Sequence, residues 1–170
     1  EGVTSISSYA FYNCNSLESI AIPNSVISIG QYAFYNCTGL ANVMLENSSQ
    51  LTSIGNNTFC NCSNLTSITI PSSITSLGNN AFYGCSNLHK VDIADLSTWC
   101  KILFDGSASN PMYNGADLYL NGTKVTTLTV PEGVTSISSY AFYSYSGLSS
   151  VIIPNSVTTI GQTTFYNCVG

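Results

Sequence analysis

Apolar and polar residues alternate in short segments that recur along the chain. Such segments occupy residues 65–70, 88–93, 125–130 and 148–153, where the sequence reads LTSITI, LHKVDI, VTTLTV and LSSVII. Each is followed closely by proline or an acidic residue. A period of two near the end of such a segment is typical of a half-buried strand. The pattern therefore predicts several short strands, each with one apolar face.

The residues between these segments predict a second extended piece and a helical turn. A short extended stretch ends at a glycine such as Gly78, and NNAFYGC follows it at residues 79–85. That stretch is too short for a stable helix, but a single helical turn would direct Ala81, Phe82 and Cys85 inward. Each unit would then make one coil of strand, corner, short strand, helical turn and corner.

Phenylalanine marks a repeat of this unit. Six equivalent phenylalanines are separated by 23, 25, 23, 60 and 23 residues, namely Phe11, Phe34, Phe59, Phe82, Phe142 and Phe165. One full unit reads Pro71, Ile74, Leu77, Gly78, Ala81, Phe82, Cys85, Leu88, Val91 and Ile93. A fixed period of this length indicates a repeat protein. Because no coil can bury its core alone, the coils are expected to stack in register.

The repeated frame resembles the BspA-like, or treponemal-type, leucine-rich repeat, whose signature is IPxSVTSIGxxAFxxCxxL. The resemblance covers nearly the whole chain and implies a single leucine-rich repeat array over residues 1–170. It implies a right-handed, mostly β solenoid of about seven coils, with a parallel sheet on the concave face, short second strands and short helical or 3-10 turns. Proteins of this class occur on the surfaces of host-associated bacteria and of a mucosal protist, and are linked to adhesion.

Two segments depart from the frame. A two-residue insertion in ENSSQ, at residues 46–50, predicts a bulged corner. A long unit at residues 94–130 contains Trp99, an Asn110-Pro111 break and the segment DLYLNGTKVT. Within that segment, Asn121-Gly122 between alternating runs is a strong signal for a hairpin with a type I′ turn. We interpret the long unit as an elaborated corner of the solenoid.

A longer repeat is superimposed on the short one. Residues 1–12 are identical to residues 132–143, and IPNSV at 22–26 returns at 153–157. This identity indicates that a block of several coils was duplicated. We therefore expect a proline and another long unit before Glu1, so that the sequence is a slice of a longer array. Coils at such ends lack caps, and end-to-end stacking between copies is expected.

Charge excludes two classes of partner. Charged residues make up 6% of the chain, and eight acidic against three basic side chains give a net charge of −5. Nucleic acid is excluded because no basic stripe could neutralise its phosphates, and an anionic membrane surface is excluded for the same reason. No apolar run reaches the roughly 18 residues that a membrane-spanning helix needs, so no membrane insertion is expected in this segment.

Cysteine recurs at one position of the repeat. Five of the seven cysteines share it, namely Cys14, Cys37, Cys62, Cys85 and Cys168, whereas Tyr145 stands there in another coil. Neighbouring coils lie close enough for disulfides, but parallel side chains keep a spacing of about 4.8 Å where a disulfide needs about 3.8 Å between Cβ atoms. We predict buried free thiols that act as small apolar fillers. Cys60 and Cys100 lie outside the column, and no metal site is predicted.

Candidate binding residues lie on the outward face of the strands. Most positions there carry Ser, Thr, Ala or Asn, but the fourth row contains His89, Lys90 and Asp92, next to the long unit with Trp99 and Asp95. The next row of this face is predicted at Thr126, Thr127 and Thr129. One interpretation is a ligand patch where the face meets the long-unit corner. The other is three ordinary solvated side chains.

The residue after each phenylalanine forms a further column. It is occupied by Tyr12, Tyr35, Cys60, Tyr83, Tyr143 and Tyr166. Aligned tyrosines could bind a glycan or a protein, since tyrosine combines a large apolar area with a polar tip. Alternatively, each ring covers the outside of its helical turn.

The sequence predicts no enzyme and no cofactor. With one histidine and no converging nucleophile and base, it lacks a catalytic constellation. We expect an extracellular adhesion module on the cell surface, whose concave face and long-unit corner bind a host matrix protein, another cell-surface protein or a glycan. The alternative is a passive spacer that projects another domain from the cell.

Overall fold

Parallel strands from successive coils pair side by side in two longer sheets and two short ones. The computed structural model describes residues 2–45 and 50–170, and these form a mostly β solenoid of about seven coils. The predicted fold class is thus confirmed. The insertion at residues 46–50 was predicted to be a bulged corner, but residues 46–49 lie outside the described residues.

Strands of the coils up to and including the long unit form a sheet that we call the long sheet. In spatial order, its described strands are β2 (Ser19–Ile22), β4 (Asn42–Leu45), β6 (Ser67–Ile70), β8 (Lys90–Ile93), β10 (Asp117–Leu120) and β11 (Thr123–Lys124). All pairs are parallel except β10 with β11, which are antiparallel. Beyond β11, the strands β12 (Thr127–Thr129) and β14 (Ser150–Ile152) pair separately.

The second strands form another sheet, which we call the short-strand sheet. It contains β1 (Ser5–Ile6), β3 (Ser28–Ile29), β5 (Ser53–Ile54), β7 (Ser76–Leu77) and β9 (Leu103–Phe104). The strands β13 (Ser136–Ile137) and β15 (Thr159–Ile160) pair separately. The predicted second extended piece is therefore present as two-residue strands.

The register places equivalent positions of the repeat side by side. Ser67 pairs with Lys90 and Ile68 with Val91, and the rest of β6 and β8 follows. Val91 and Ile93 are buried while Lys90 and Asp92 face outward. The period-two pattern of the sequence thus separates a core face from an outward face in each strand.

The stretch around each phenylalanine consists of reverse turns. In the second coil, Tyr35 N donates to Tyr32 O and Cys37 N donates to Phe34 O, both at 3.2 Å. Tyr32 and Asn36 have φ values of 58° and 56°, in the left-handed region. These two residues interrupt the helical path, so two tight turns replace one continuous helical turn.

Phenylalanine rings stack through the centre of the coils. Phe11, Phe34 and Phe59 follow one another with centroid distances of 5.0 and 5.3 Å, Phe82 continues the stack at 5.6 Å, and Phe142 and Phe165 form a second stack at 5.4 Å. Phe34, Phe59, Phe82 and Phe142 are fully buried. The core is therefore the column of equivalent side chains that the repeat predicts.

The glycine that ends the second strand permits close packing of adjacent coils. A Cβ atom added to Gly78 would lie 2.6 Å from the backbone nitrogen of Asn56 in the preceding coil. One added to Gly161 would lie 2.3 Å from the nitrogen of Ser139. Any larger residue would push two coils apart, which explains why this position is glycine.

The long unit contains a complete coil and is not merely an elaborated corner. Leu77 of β7 pairs with Phe104 of β9, and Val91 of β8 pairs with Leu118 of β10. The two pairs have the same separation in residue number. The same offset places Ser109 at the phenylalanine position and Met112 at the cysteine position, and both are buried. This coil was missed because neither marker residue is present in it.

Several short elements complete the long unit. Helix α1 (Leu96–Trp99) follows β8, with its N-terminus capped by Asp95, and 3-10 helices span Ser107–Ser109 and Pro111–Asn114. The predicted hairpin is confirmed, since β10 and β11 are antiparallel and Asn121 and Gly122 have φ values of 50° and 79°. Both residues thus adopt the positive φ of a type I′ turn.

Candidate functional site

Charged side chains concentrate on three neighbouring strands of the long sheet. Because Lys90 and Asp92 alternate with buried residues of β8, both face outward. Asp117 and Tyr119 of β10 lie directly beside them, and Lys124 of β11 pairs with Tyr119. We call Lys90, Asp92, Asp117, Tyr119 and Lys124 the charged patch. It contains two of the three basic side chains of the whole sequence.

Opposite charges in the patch are paired. Lys90 Nζ lies 3.2 Å from Asp92 Oδ2, and Lys124 Nζ lies 2.6 Å from Asp117 Oδ2. The hydrogen bond with Asp117 raises the pKa of Lys124. Lys90 Nζ also lies 4.8 Å from the centroid of the Tyr119 ring, a cation–π distance. The patch therefore offers two cations and two carboxylates in fixed positions, with an aromatic ring between them.

The hairpin turn is attached to the same patch. Gly122 N donates to Asp92 Oδ1 at 3.1 Å, so the carboxylate of Asp92 links β8 to the tip of the β10–β11 hairpin. The Asn121 side chain donates to Ala94 O at 3.3 Å. These bonds hold the hairpin against the sheet, which keeps the side chains of β10 and β11 in place.

Sequence reasoning identified two of the five residues of this patch. It predicted His89, Lys90 and Asp92, and the structure places Lys90 and Asp92 in the patch. His89 precedes β8 and is exposed, and its Nδ1 lies 3.0 Å from Asn87 O. The row predicted next to them, Thr126 to Thr129, is wrong, because β10 of the unrecognised coil lies there. The sequence did contain a signal for the rest of the patch, because the charged residues Asp117 and Lys124 flank the predicted Asn121-Gly122 turn.

Trp99 does not lie on the surface that was predicted for it. Its side chain is 1% exposed, and its Nε1 donates to Ala141 O at 3.0 Å. Its ring meets Phe104 edge-on at 5.4 Å. The end of α1 turns the indole into the core between the long unit and the following coil. The prediction of Trp99 as a ligand-binding residue is therefore corrected, because a surface ligand cannot reach the ring.

The tyrosine column forms ladders of stacked rings. Tyr12 stacks on Tyr35 at 5.1 Å, and Tyr143 stacks on Tyr166 at 5.2 Å. A neighbouring pair, Tyr9 and Tyr32, stacks at 5.0 Å. Within each ladder the ring faces cover one another, so edges and hydroxyl groups are what the ladder presents to solvent. This arrangement favours the interpretation that the rings cover the turns over the interpretation that they stack on sugars.

Tyr113 is a member of the ladder that the sequence did not reveal. It belongs to the 3-10 helix of the long unit, and its ring centroid lies 6.2 Å from that of Tyr83 and 6.1 Å from that of Tyr143. It thereby bridges the long gap between these two tyrosines. Cys60, which stands in the same column, is buried.

Cysteine thiols are free and hydrogen-bonded to the backbone. All seven cysteines lie in the described part of the chain, and none is in a disulfide. Cys37, Cys62 and Cys85 each donate from Sγ to the carbonyl of the phenylalanine in the coil before, at 3.0 to 3.2 Å. Burial raises the pKa of Cys85 and of Cys100 to about 12. These thiols stay protonated and unreactive at neutral pH. Cys14 differs in being exposed.

Tyr145 occupies the cysteine position of its coil and, like the cysteines, donates a hydrogen bond to a main-chain carbonyl. It is fully buried, and its hydroxyl donates to Val125 O at 2.6 Å. Burial raises its pKa to about 12. The larger side chain fills space beside the hairpin, where the coil spacing differs from the regular repeat.

Among residues 2–45 and 50–170, no group of three or more His, Cys, Asp or Glu side chains could hold a metal ion. The helices in the described ranges are all too short or too polar to cross a bilayer.

Fold and surface together define a leucine-rich repeat solenoid. The family model described as the BspA type leucine-rich repeat region matches six copies, over residues 1–110 and 115–170. The chain belongs to the BspA-type leucine-rich repeat family. The resemblance seen in the sequence is thus confirmed.

Two solved structures illustrate the similarity. The T. pallidum leucine-rich repeat protein TpLRR is 27% identical with a TM-score of 0.64, over 98% of this chain and 71% of that one. The pneumococcal vaccine antigen PcpA is 23% identical with a TM-score of 0.55, over 98% of this chain and 40% of that one. No curated protein matches the sequence.

Proposed function

We propose that this chain is a non-catalytic binding module on a cell surface, which recognises a host or cell-surface protein or a glycan through the charged patch. The observation that carries the proposal is the concentration of charge. A chain with only 6% charged residues has two Lys–Asp pairs on adjacent strands, whereas the outward-facing positions outside the patch, on the long sheet and on β12 and β14, are uncharged and, except for Met44 and Ile152, are Ser, Thr, Ala or Asn.

Stability does not account for these charges. The Lys side chains of both pairs are more than a third exposed. Exposed ion pairs contribute about 0 to 1 kcal/mol to folding, because water screens them and the long side chains lose freedom. Fixed charges on a rigid sheet do, however, select partners of complementary charge and fix their orientation. A recognition role therefore explains the patch better than a structural one.

The surface location is supported by the family. BspA-type arrays resemble surface proteins of host-associated bacteria, and a rigid sheet displayed outside the cell suits adhesion to a matrix or cell-surface partner. The tyrosine residues Tyr12, Tyr35, Tyr83, Tyr143 and Tyr166 remain a second candidate surface. Their hydroxyl edges suit a protein contact better than a sugar stack.

A passive spacer is the alternative function. The absence of charge from the outward strand positions of the other described coils supports it, because a spacer needs no coil to differ from its neighbours. The two functions differ in what they predict for the patch.

Binding assays on the purified protein would separate the two functions. The protein would be tested against matrix proteins and glycans by surface plasmon resonance, alongside a His89→Ala, Lys90→Ala, Asp92→Ala variant. A matched control carries Ser19→Ala and Asn42→Ala, which lie on the same face in the first coils. We expect at least tenfold weaker binding for the patch variant, an unchanged control, and weaker binding at high salt. Equal binding by all three proteins would refute the proposal, and no binding to any partner would favour the spacer.

A further inference from the structure

The long sheet is interrupted between two strands that follow each other in the chain. Among the described strands, β11 pairs with β10 alone and β12 pairs with β14 alone. Only residues 125 and 126 separate them. Each therefore has one edge without a strand partner, and an unpaired edge exposes a row of main-chain donors and acceptors.

Both strands line one cleft. Its volume is about 470 Å³, and Thr123 and Lys124 of β11 and Thr127 and Thr129 of β12 all contribute to it. Apolar side chains of Leu96, Leu120 and Val125 line it as well. The cleft is thus lined both by apolar side chains and by threonine hydroxyl groups.

The hydrogen bonds of β12 show which of its groups point into this cleft. Ser149 N donates to Thr126 O, and Val130 N donates to Ile152 O, so these groups of 126 and 130 point towards β14. Successive residues of a strand direct their main-chain groups to opposite edges. The amides and carbonyls of Thr127 and Thr129 consequently point the other way, to the edge that faces β11.

We propose that the cleft binds an extended peptide segment of a partner protein, which adds as a strand to the free edge of β12. A peptide chain has the spacing of donors and acceptors that this edge requires, about 3.3 Å per residue. Its side chains would alternate between the apolar side chains that line the cleft and solvent. The preferred segment is therefore one in which apolar and hydroxyl-bearing residues alternate. This goes beyond the proposed function, since it concerns the cleft and a main-chain mode of binding.

Hydrogen exchange followed by NMR tests the proposal with a defined probe. The probe is an octapeptide of alternating valine and threonine with terminal lysines for solubility. Added at millimolar concentration to the whole chain, it is expected to slow exchange at the amides of Thr127 and Thr129. Two further probes carry N-methyl groups, one on every valine and one on every threonine. Alternate amides of an extended peptide point to opposite edges, so only one of these two probes lacks the amide donors that would face β12. That probe is expected to bind at least tenfold more weakly than the other.

A single substitution provides the complementary test. Thr129→Pro removes one amide from the free edge and leaves the bonds between β12 and β14 in place, a position where strands accept proline. We expect roughly tenfold weaker binding of the unmodified octapeptide, and unchanged binding by Thr129→Val, which keeps the amide. Urea unfolding of both variants verifies that they fold.

Several results would overturn the strand-addition mode. They are absence of protection at Thr127 and Thr129, equal binding of both N-methylated probes, or equal binding by a folded Thr129→Pro variant. Failure of the charged patch is recognised separately, because Lys90 belongs to the patch but does not line the cleft, so Lys90→Ala is expected to leave octapeptide binding unchanged.

Discussion

At the residue scale, the repeat is held together by side chains that bond to the neighbouring coil. Cys85 donates from Sγ to Phe59 O, and Cys62 to Phe34 O, so each thiol satisfies a carbonyl of the preceding coil. Thr58 and Thr164 take the position of alanine and donate to carbonyls in the same way. The sequence predicted small apolar fillers. The hydrogen bonds could not be predicted, because they depend on where the adjacent backbone lies.

Buried thiols make stability depend on alkaline pH. The pKa of Cys85 is raised from 9.0 to about 12 by burial, so between these values the thiol ionises in the unfolded chain but not in the folded one. The unfolded state then binds fewer protons, and the free energy of unfolding falls as pH rises. Below pH 9 this thiol does not contribute to the pH dependence of the free energy of unfolding. Each buried thiol contributes a slope of about 1.4 kcal/mol per pH unit within the window.

Urea unfolding at several pH values between 8 and 11 would measure this slope. We expect Cys85→Ala to be less stable at neutral pH but to lose stability less steeply above pH 9. Cys14→Ala, at an exposed equivalent position, is expected to match the unsubstituted chain. A slope for Cys85→Ala as steep as that of the unsubstituted chain would contradict the buried-thiol explanation.

At the element scale, the strength of a coil depends on having neighbours on both sides. Phe82 is fully buried and stacks on Phe59, whereas Phe165 is partly buried and stacks on Phe142. The phenylalanine of the repeat therefore contributes differently to stability in different coils. The sequence predicts that each phenylalanine packs in the core, but it does not predict how much each one stabilises the fold.

Truncation of these two rings measures the difference. Phe82→Ala should lower the free energy of unfolding by about 3 to 5 kcal/mol, because it leaves a cavity between two packed coils. Phe165→Ala should cost less, since water can reach the space that the ring leaves. Chemical denaturation of both variants provides the values, and equal losses would show that the columns do not pack as described.

At the scale of the whole molecule, the long unit joins two runs of regular coils. The long sheet ends at β11 and the short-strand sheet ends at β9, so both ladders stop within the same unit. Other contacts replace them. Trp99 Nε1 donates to Ala141 O, and Asn110 Nδ2 donates to Tyr140 O at 2.6 Å and to Ala141 O at 3.1 Å. Asn110 is fully buried, and these bonds connect the long unit to the following coil.

Loss of the Asn110 side chain should weaken this junction first. Asn110→Ala removes the bonds to Tyr140 O and Ala141 O, which keep Tyr143 N and Trp99 Nε1 as donors. It also takes the acceptor Asn110 Oδ1 from the amide of buried Met112, which costs about 1 to 3 kcal/mol. Since Trp99 is the sole tryptophan and lies at the junction, its fluorescence reports on that region. We expect its transition in urea to precede the far-ultraviolet circular dichroism transition in Asn110→Ala. In Asn114→Ala, which loses a bond to Phe82 O in the coil before, the two transitions should coincide. Coincident transitions in Asn110→Ala would argue against a separable junction.

The pattern of residues by itself determined the repeat, the family and the hairpin, because each depends on local signals. Alternation defines the strands, recurring Phe and Cys define the coil, and Asn121-Gly122 favours positive φ at both turn positions. The coil between β9 and β10 has Ser109 and Met112 at the marker positions and could be found only from strand pairing. The charged patch also depends on this strand pairing, because β10 pairs with β8 and thereby places Asp117 and Tyr119 beside Lys90 and Asp92.

Burial was decided by the tertiary structure alone. Residues 2–12 and 133–143 are identical in sequence, yet Val3 is 57% exposed and Val134 is 1% exposed, and Ala10 is exposed whereas Ala141 is buried. The second copy is covered by the long unit, through Trp99 and Asn110, and no such coil covers the first copy in this structure. A repeat specifies the shape of its own coil, but the neighbouring coil removes its apolar face from water.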